Sequence, residues 1–117
     1  MTNGTRPRGI RESTELARLR GEIDELDRRI VALINERAEL VRAVGHEKFA
    51  LGRRFVRDRD REREVLLRVS MANQGPTPQA DLLAVYRRLI ASARALETTE
   101  RERARRDAEQ PGEPPTA

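Results

Sequence analysis

Apolar residues recur every three or four positions through the first half of the chain. This spacing predicts one long helix that opens at "STEL", where Ser13 or Thr14 can act as the N-cap, and runs to about Leu51 without a proline. At ~1.5 Å per residue such a helix would span roughly 54 Å. Its apolar stripe consists of Leu16, Leu19, Ile23, Leu26, Ile30, Leu33, Leu40 and Val44.

Two further helical patterns follow, each after a break. The segment "LGRRFV" (51–56) is predicted to be a loop, and Asp58 is a good N-cap for a second helix whose stripe is Val65, Val69 and Ala72. The segment "NQGPTP" (73–78) ends that helix, with Thr77 as the cap and Pro78 in the first turn of the third helix. The third helix is expected to continue as a charged, frayed rod through "TTERERARRD", and its stripe contains Leu82, Leu83, Tyr86, Leu89, Ile90, Ala93 and Leu96.

The order of these elements predicts an all-α protomer with three helices, long, short and long. A single long rod cannot bury its stripe against two shorter helices, so we expect a helical dimer. The polar stretches 1–12 and 108–117 are typical of a disordered arm and tail, which leaves one helical domain at 13–107.

Composition narrows the possible functions. The chain has no cysteine, which excludes disulfides and thiolate metal sites, and its single histidine argues against a histidine-based metal site. No stretch approaches the ~20 apolar residues of a membrane span, and no signal-peptide pattern follows the N-terminus. These features predict a soluble, cytoplasmic protein with no metal site.

The charge balance leaves a nucleic-acid-binding module as an alternative. The formal net charge is +4 and the pI is about 10.8. However, the basic residues alternate with acidic ones along most of the chain, and only Phe49, Phe55 and Tyr86 could stack on bases. A basic helical interaction module is therefore the weaker hypothesis.

Six charged residues interrupt the predicted apolar stripes. A buried charge is costly unless it is paired or bound by a ligand, so these residues are candidates for a site. An internal network of salt bridges would explain them equally well, and the two on the long helix could also extend their head groups to the surface. The six are Arg37 and Lys48 on the first helix, Asp58, Arg61 and Glu62 on the second, and Glu97 on the third.

Arg20 adds a geometric condition. Along one straight helix it would lie ~25 Å from Arg37 and ~42 Å from Lys48, so a small ligand could not touch all three within one chain. If Arg20 belongs to the same pocket, it must come from a second subunit.

Four motifs in order carry a resemblance to a known family. They are L-R-x-x-I-D-x-x-D, L-x-x-x-R-x-x-L, V-G-x-x-K and R-D-x-x-R-E, and together they cover about residues 15–97. This ordered set closely resembles the helical (class II) chorismate mutases. The resemblance implies an intertwined dimer of three-helix protomers in the monofunctional form, because no second domain follows.

The resemblance also implies an activity. Chorismate, a dicarboxylate with an ether oxygen and a ring hydroxyl, would be rearranged to prephenate without a cofactor, in aromatic amino acid or related secondary metabolism. Such catalysis rests on restricting the substrate's conformation and stabilising charge on the ether oxygen. An isochorismate pyruvate-lyase or an aminodeoxychorismate mutase on the same fold is the alternative.

Carried over residue by residue, the resemblance assigns roles to the charges on the stripes. Arg37 and the partner subunit's Arg20 would clamp carboxylates, and Lys48 would reach a carboxylate and the ether oxygen. Arg61 would add positive field, while Glu62, with the Asp58 region, would accept a hydrogen bond from the ring hydroxyl. Two positions depart from the common pattern: Glu97 replaces a glutamine that faces the ether oxygen, and Ala93 replaces a serine.

Overall fold

Three helices make up the part of the chain that the structure, a computed structural model, describes, namely residues 13–53 and 57–110. They are α1 (Thr14–Ala50), α2 (Arg59–Ala72) and α3 (Gln79–Glu109). The predicted all-α architecture, long, short and long, is therefore confirmed. The arm predicted at 1–12 and residues 111–117 of the predicted tail lie outside the described residues. Within the described ranges, none of the helices combines the length and apolar character that a membrane span needs.

The chain divides into two compact units, Met1–Arg37 and Ala38–Ala117. The described part of the first unit is the beginning of α1. The hydroxyl Oγ of Ser13 accepts a hydrogen bond of 2.9 Å from the backbone N–H of Leu16, so Ser13 is the cap of this helix. The apolar stripe of this unit is exposed to solvent: Leu19, Ile23, Leu26, Ile30 and Leu33 each have between 44% and 59% of their surface accessible.

In the second unit, the end of α1 packs closely against α3 at Gly45. A Cβ atom built on this buried glycine would lie 3.4 Å from the Cβ atom of Glu100 and 3.4 Å from the Cα atom of Glu97. The two helices are therefore close here, with room for little more than a methyl group between them. Of the hydrophobic side chains that the structure describes, only Ile90 is fully buried, whereas ion pairs of Glu97 and Glu100 join α3 to α1.

A glycine also ends α1. Gly52 has a φ of 75°, its N–H donates to the carbonyl oxygen of Phe49 (2.9 Å), and the N–H of Arg53 donates to the carbonyl oxygen of Lys48 (3.0 Å). This pair of bonds is a Schellman motif, which favours glycine because other side chains are strained at positive φ. It fixes the last turn of α1, the turn that carries Lys48.

The starts of α2 and α3 differ in how they are capped. The Oδ1 atom of Asp58 accepts a bond of 3.0 Å from the N–H of Arg61, so the predicted cap of α2 is confirmed. The predicted cap of α3 is wrong: Pro78 occupies the N-cap position and no side chain bonds there. The carbonyl oxygen of Pro78 accepts from the N–H groups of Asp81 and Leu82, so the helix begins one residue later than Thr77 would allow.

The C-terminal part of α3 also departs from the prediction. The helix does continue through "TTERERARRD", to Glu109, but its first turn there is packed rather than frayed. Glu100 is only 1% exposed, because this face of α3 lies against the turn of α1 around Gly45.

Candidate active site

Lys48 and Glu97 form a buried ion pair between α1 and α3. The Nζ atom of Lys48 donates a hydrogen bond of 2.7 Å to Oε1 of Glu97, and the two side chains are 13% and 11% exposed. The sequence pattern placed both charges on inward stripes, and the structure brings them together. Each charge compensates the burial of the other, because an unpaired buried charge is strongly destabilising.

Glu62, on α2, is held between two arginines. Its Oε2 atom accepts a bond of 2.9 Å from Arg94 on α3, and Oε1 lies 3.2 Å from a guanidinium nitrogen of Arg57. Burial of this carboxylate would raise its pKa, but the hydrogen bond and charge of Arg94, together with Arg57, hold the pKa of Glu62 below its ordinary value. Glu62 is therefore an ionised acceptor, and a carboxylate has about four acceptor positions, which is compatible with a further donor.

The two pairs are neighbours along α3. Arg94 and Glu97 are three positions apart, so they project from adjacent turns on one side of the helix. A cation from α1, a carboxylate of α3 and an ionised carboxylate from α2 thus lie along one stretch of α3. This set can bind an anion and orient a hydroxyl group.

The other two candidates at the start of α2 have different surroundings. The side chain of Asp58 bonds to the helix backbone as its cap. The side chain of Arg61 is 57% exposed and pairs with Glu64, one turn along the same helix. Glu62, the third charge predicted to face inward here, bonds to Arg94 of α3.

Arg20 and Arg37 belong to the first unit. Arg20 is exposed and Arg37 is half-buried. The roles that the family pattern gives them remain predictions.

A second buried carboxylate, Glu100, is absent from the candidates that the sequence pattern provides. Its Oε1 atom accepts from Nε of Arg42 (2.8 Å) and lies 3.2 Å from Arg103, and its Oε2 atom lies 2.9 Å from Nε2 of His46. The hydrogen bond from Arg42 lowers the pKa of Glu100 despite the opposing effect of burial. The signal was present in the sequence, since Glu100 is seven residues past Ala93 on the apolar stripe.

His46 lies at the edge of this cluster. Its side chain is 59% exposed, but its ring reaches the buried carboxylate of Glu100. The charges of this unit therefore do form internal ion pairs, as one hypothesis held. Within residues 13–53 and 57–110 no cluster of histidine and carboxylate side chains could hold a metal ion.

Comparison with known proteins adds independent information. Residues 19–98 match the family described as chorismate mutase type II. Two relatives are bifunctional chorismate mutase/prephenate dehydratases: that of Aquifex aeolicus (strain VF5) is 36% identical over 87 residues, and that of Neisseria gonorrhoeae (strain ATCC 700825 / FA 1090) is 35% identical over 78 residues. These alignments cover 71% and 67% of this chain but only 24% and 21% of the relatives, so the chain spans less than a quarter of their length.

A solved structure matches over almost its whole length. The chorismate mutase (form II) of Thermus thermophilus superposes with a TM-score of 0.68 at 30% sequence identity. The match covers 72% of this chain and 94% of that one.

Proposed function

The chain belongs to the chorismate mutase type II family, and we propose that it rearranges chorismate to prephenate without a cofactor. The observation that carries this proposal is the buried pair of Lys48 and Glu97, two side chains at positions where the family pattern expects contacts to the ether oxygen. All seven candidate site residues lie within the part of the chain that matches the family.

Lys48 is the residue to which we assign the largest role. It is the single lysine of the chain, and all the other basic residues counted among the 24 Lys and Arg are arginines. An ammonium group carries three donors on a flexible stem, so it can bond to Glu97 and still direct donors to a carboxylate and to the ether oxygen. As the ether C–O bond breaks and the new C–C bond forms, negative charge builds on that oxygen, and a donor already in place stabilises it.

Glu97 has two candidate roles, which require different protonation states of its carboxyl group. As a carboxylate it accepts from Lys48 and orients the ammonium group. To donate to the ether oxygen, as the more common glutamine does, it must carry a proton, because an ionised carboxylate only accepts. We propose that Glu97 donates in its protonated form.

The remaining contacts bind the substrate. Glu62 accepts the hydrogen bond of the ring hydroxyl, with the Asp58 region beside it at the start of α2. The charge of Arg61 adds to the positive electrostatic potential at the same end of the helix. Arg37 clamps a carboxylate, a task that suits a guanidinium fork.

We also propose a homodimer that completes each site with Arg20 of the partner subunit. The exposed apolar stripe of the first unit supports this proposal, because a row of leucines and isoleucines at helical spacing is normally covered. A second copy of the same helix offers a matching stripe, and symmetric dimers commonly use the same surface of both subunits.

The test is to incubate the purified protein with chorismate, isochorismate and aminodeoxychorismate, and to follow the loss of each and the product. We expect chorismate to be consumed and prephenate to form, with Lys48→Ala as the inactive control. Pyruvate released from isochorismate, or turnover of the amino compound alone, would replace the proposal with one of the related activities. No turnover of any of the three would contradict an enzyme of this kind.

A further inference from the structure

Arg94 is a half-buried arginine that neither the apolar pattern nor the family motifs single out. It lies one position after Ala93 and one turn before Glu97, and its side chain is 33% exposed. Its NH1 atom donates a hydrogen bond of 2.9 Å to Oε2 of Glu62, the carboxylate proposed to bind the ring hydroxyl. We infer that Arg94 determines substrate specificity, because it makes Glu62 select a neutral hydroxyl over a cationic amino group at that ring position.

The inference rests on the proposed function and follows from the charges at this carboxylate. A lone buried carboxylate would bind an ammonium group more strongly than a hydroxyl, since opposite charges attract in a partly buried site. The guanidinium of Arg94 already balances that charge. A group that bonds to the same carboxylate comes within about 4–6 Å of the guanidinium, given the ordinary lengths of two hydrogen bonds. A second cation at that distance is repelled, whereas a hydroxyl is not.

Arg57 also contacts Glu62 but has a different character. Its side chain is 48% exposed and its bond to Oε1 is longer, at 3.2 Å. Solvent screens an exposed charge, so Arg57 contributes less to the field that a bound substituent feels. Arg94 is less exposed, and it lies on the same helix as Glu97, three positions before it.

The first experiment compares substrates that differ only in this substituent. For the parent, Arg94→Gln and Arg94→Lys, kcat/KM is measured with chorismate, and the amino analogue is measured as a substrate or as a competitive inhibitor, at neutral pH. We expect Arg94→Gln to shift the preference toward the amino analogue by about tenfold or more, since two charges at this separation repel appreciably even at an effective dielectric constant near 20. Arg94→Lys keeps the charge and should stay near the parent ratio.

The matched control is Arg105→Gln, which removes an exposed arginine that pairs with Glu102 on the same helix. Its preference should equal that of the parent. An unchanged ratio in folded Arg94→Gln, checked by circular dichroism, would overturn the inference. A parent that converts neither compound would instead contradict the proposed function.

A second measurement needs no variant. In the parent, the amino analogue should bind more tightly as the pH rises and its amine loses the proton, whereas chorismate binding lacks this gain. If the analogue binds more weakly as its amine is deprotonated, or shows no change relative to chorismate, Arg94 does not act through charge. This measurement can therefore overturn the inference even if Arg94→Gln does not fold.

Discussion

The Nζ atom of Lys48 and the Oε1 atom of Glu97 lie 2.7 Å apart, in a contact that joins the last turn of α1 to α3. The Schellman motif that ends α1 bonds to the backbone carbonyl of Lys48, and the close approach at Gly45 brings α3 within reach. Local backbone geometry thus holds both side chains in place without any contact from a substrate. A preorganised donor of this kind needs little rearrangement when charge develops beside it.

The first prediction concerns Lys48. Replacing Lys48 with alanine should lower kcat/KM for chorismate by at least ~10²-fold, the scale typical of losing one preorganised donor. Arg37→Ala should cause a loss of similar size through carboxylate binding. Arg105→Ala, which removes an exposed cation, is the control and should keep parent activity. Full activity in the Lys48 or Arg37 variant would remove that residue from the site.

The second prediction concerns the shared site. Arg20→Ala and Arg37→Ala should each be nearly inactive alone, yet mixtures of the two refolded together should regain activity. Random pairing makes half of the dimers mixed, and each mixed dimer has one site with both arginines, so roughly a quarter of the sites recover. If subunit exchange is demonstrated and activity still does not return, Arg20 does not act across subunits.

The third prediction concerns the proton of Glu97. If the protonated form donates to the ether oxygen, kcat/KM should be higher when this carboxyl carries its proton than when it is ionised. Glu97→Gln supplies a permanent N–H donor of the same shape, so it should flatten the profile and raise activity at neutral pH. Both proteins are measured from pH 5 to 8. Profiles of identical shape would assign Glu97 to orienting Lys48 alone.

The fourth prediction follows from the lowered pKa of Glu100. A carboxylate whose pKa is lower in the folded chain stabilises that chain above its unfolded pKa, near ~4.3. This stabilisation is lost as the pH falls through the folded value. Glu100→Gln should therefore melt several degrees below the parent at pH 7, and the gap should narrow below about pH 4.5. Thermal unfolding is followed by circular dichroism from pH 3 to 7.

The control for Glu100 is Glu102→Gln, which removes an exposed carboxylate two positions along α3. Its melting temperature should differ little from that of the parent at every pH, because exposed pairs contribute little. A gap between Glu100→Gln and the parent that stays constant down to pH 3 would show that ionisation of Glu100 is not the stabilising factor.

The helices were predictable because their signals are local. A spacing of three and four residues and the caps Ser13 and Asp58 each depend on only a few neighbouring positions, and all were confirmed. The cap at Thr77 failed because the turn before α3 places Pro78 at the N-cap instead. The preference of threonine for cap positions points to Thr77, and it carries no information on how the preceding turn orients the chain at Pro78.

The pairing of the charges was harder to predict. Lys48 and Glu97 stood out as charges on apolar stripes, but their contact depends on how α1 and α3 meet, 49 residues apart in sequence. Arg94 was missed because a half-buried arginine beside a stripe resembles any solvated arginine until its partner on α2 is known. Glu100 was missed because the apolar residues of the predicted stripe end at Leu96.

The ion pairs between α1 and α3 also specify how far the two antiparallel helices can slide. Lys48 faces Glu97 while Arg42 faces Glu100, and the close approach at Gly45 lies between them. A slip of one helical turn, about 5.4 Å, would place Lys48 opposite Ala93 or Arg101. A buried ammonium group would then meet a methyl group or a like charge, and both arrangements are penalised. The Lys48–Glu97 pair, which we propose to act in the site, and the Arg42–Glu100 pair therefore set the register of the two helices and disfavour the neighbouring registers.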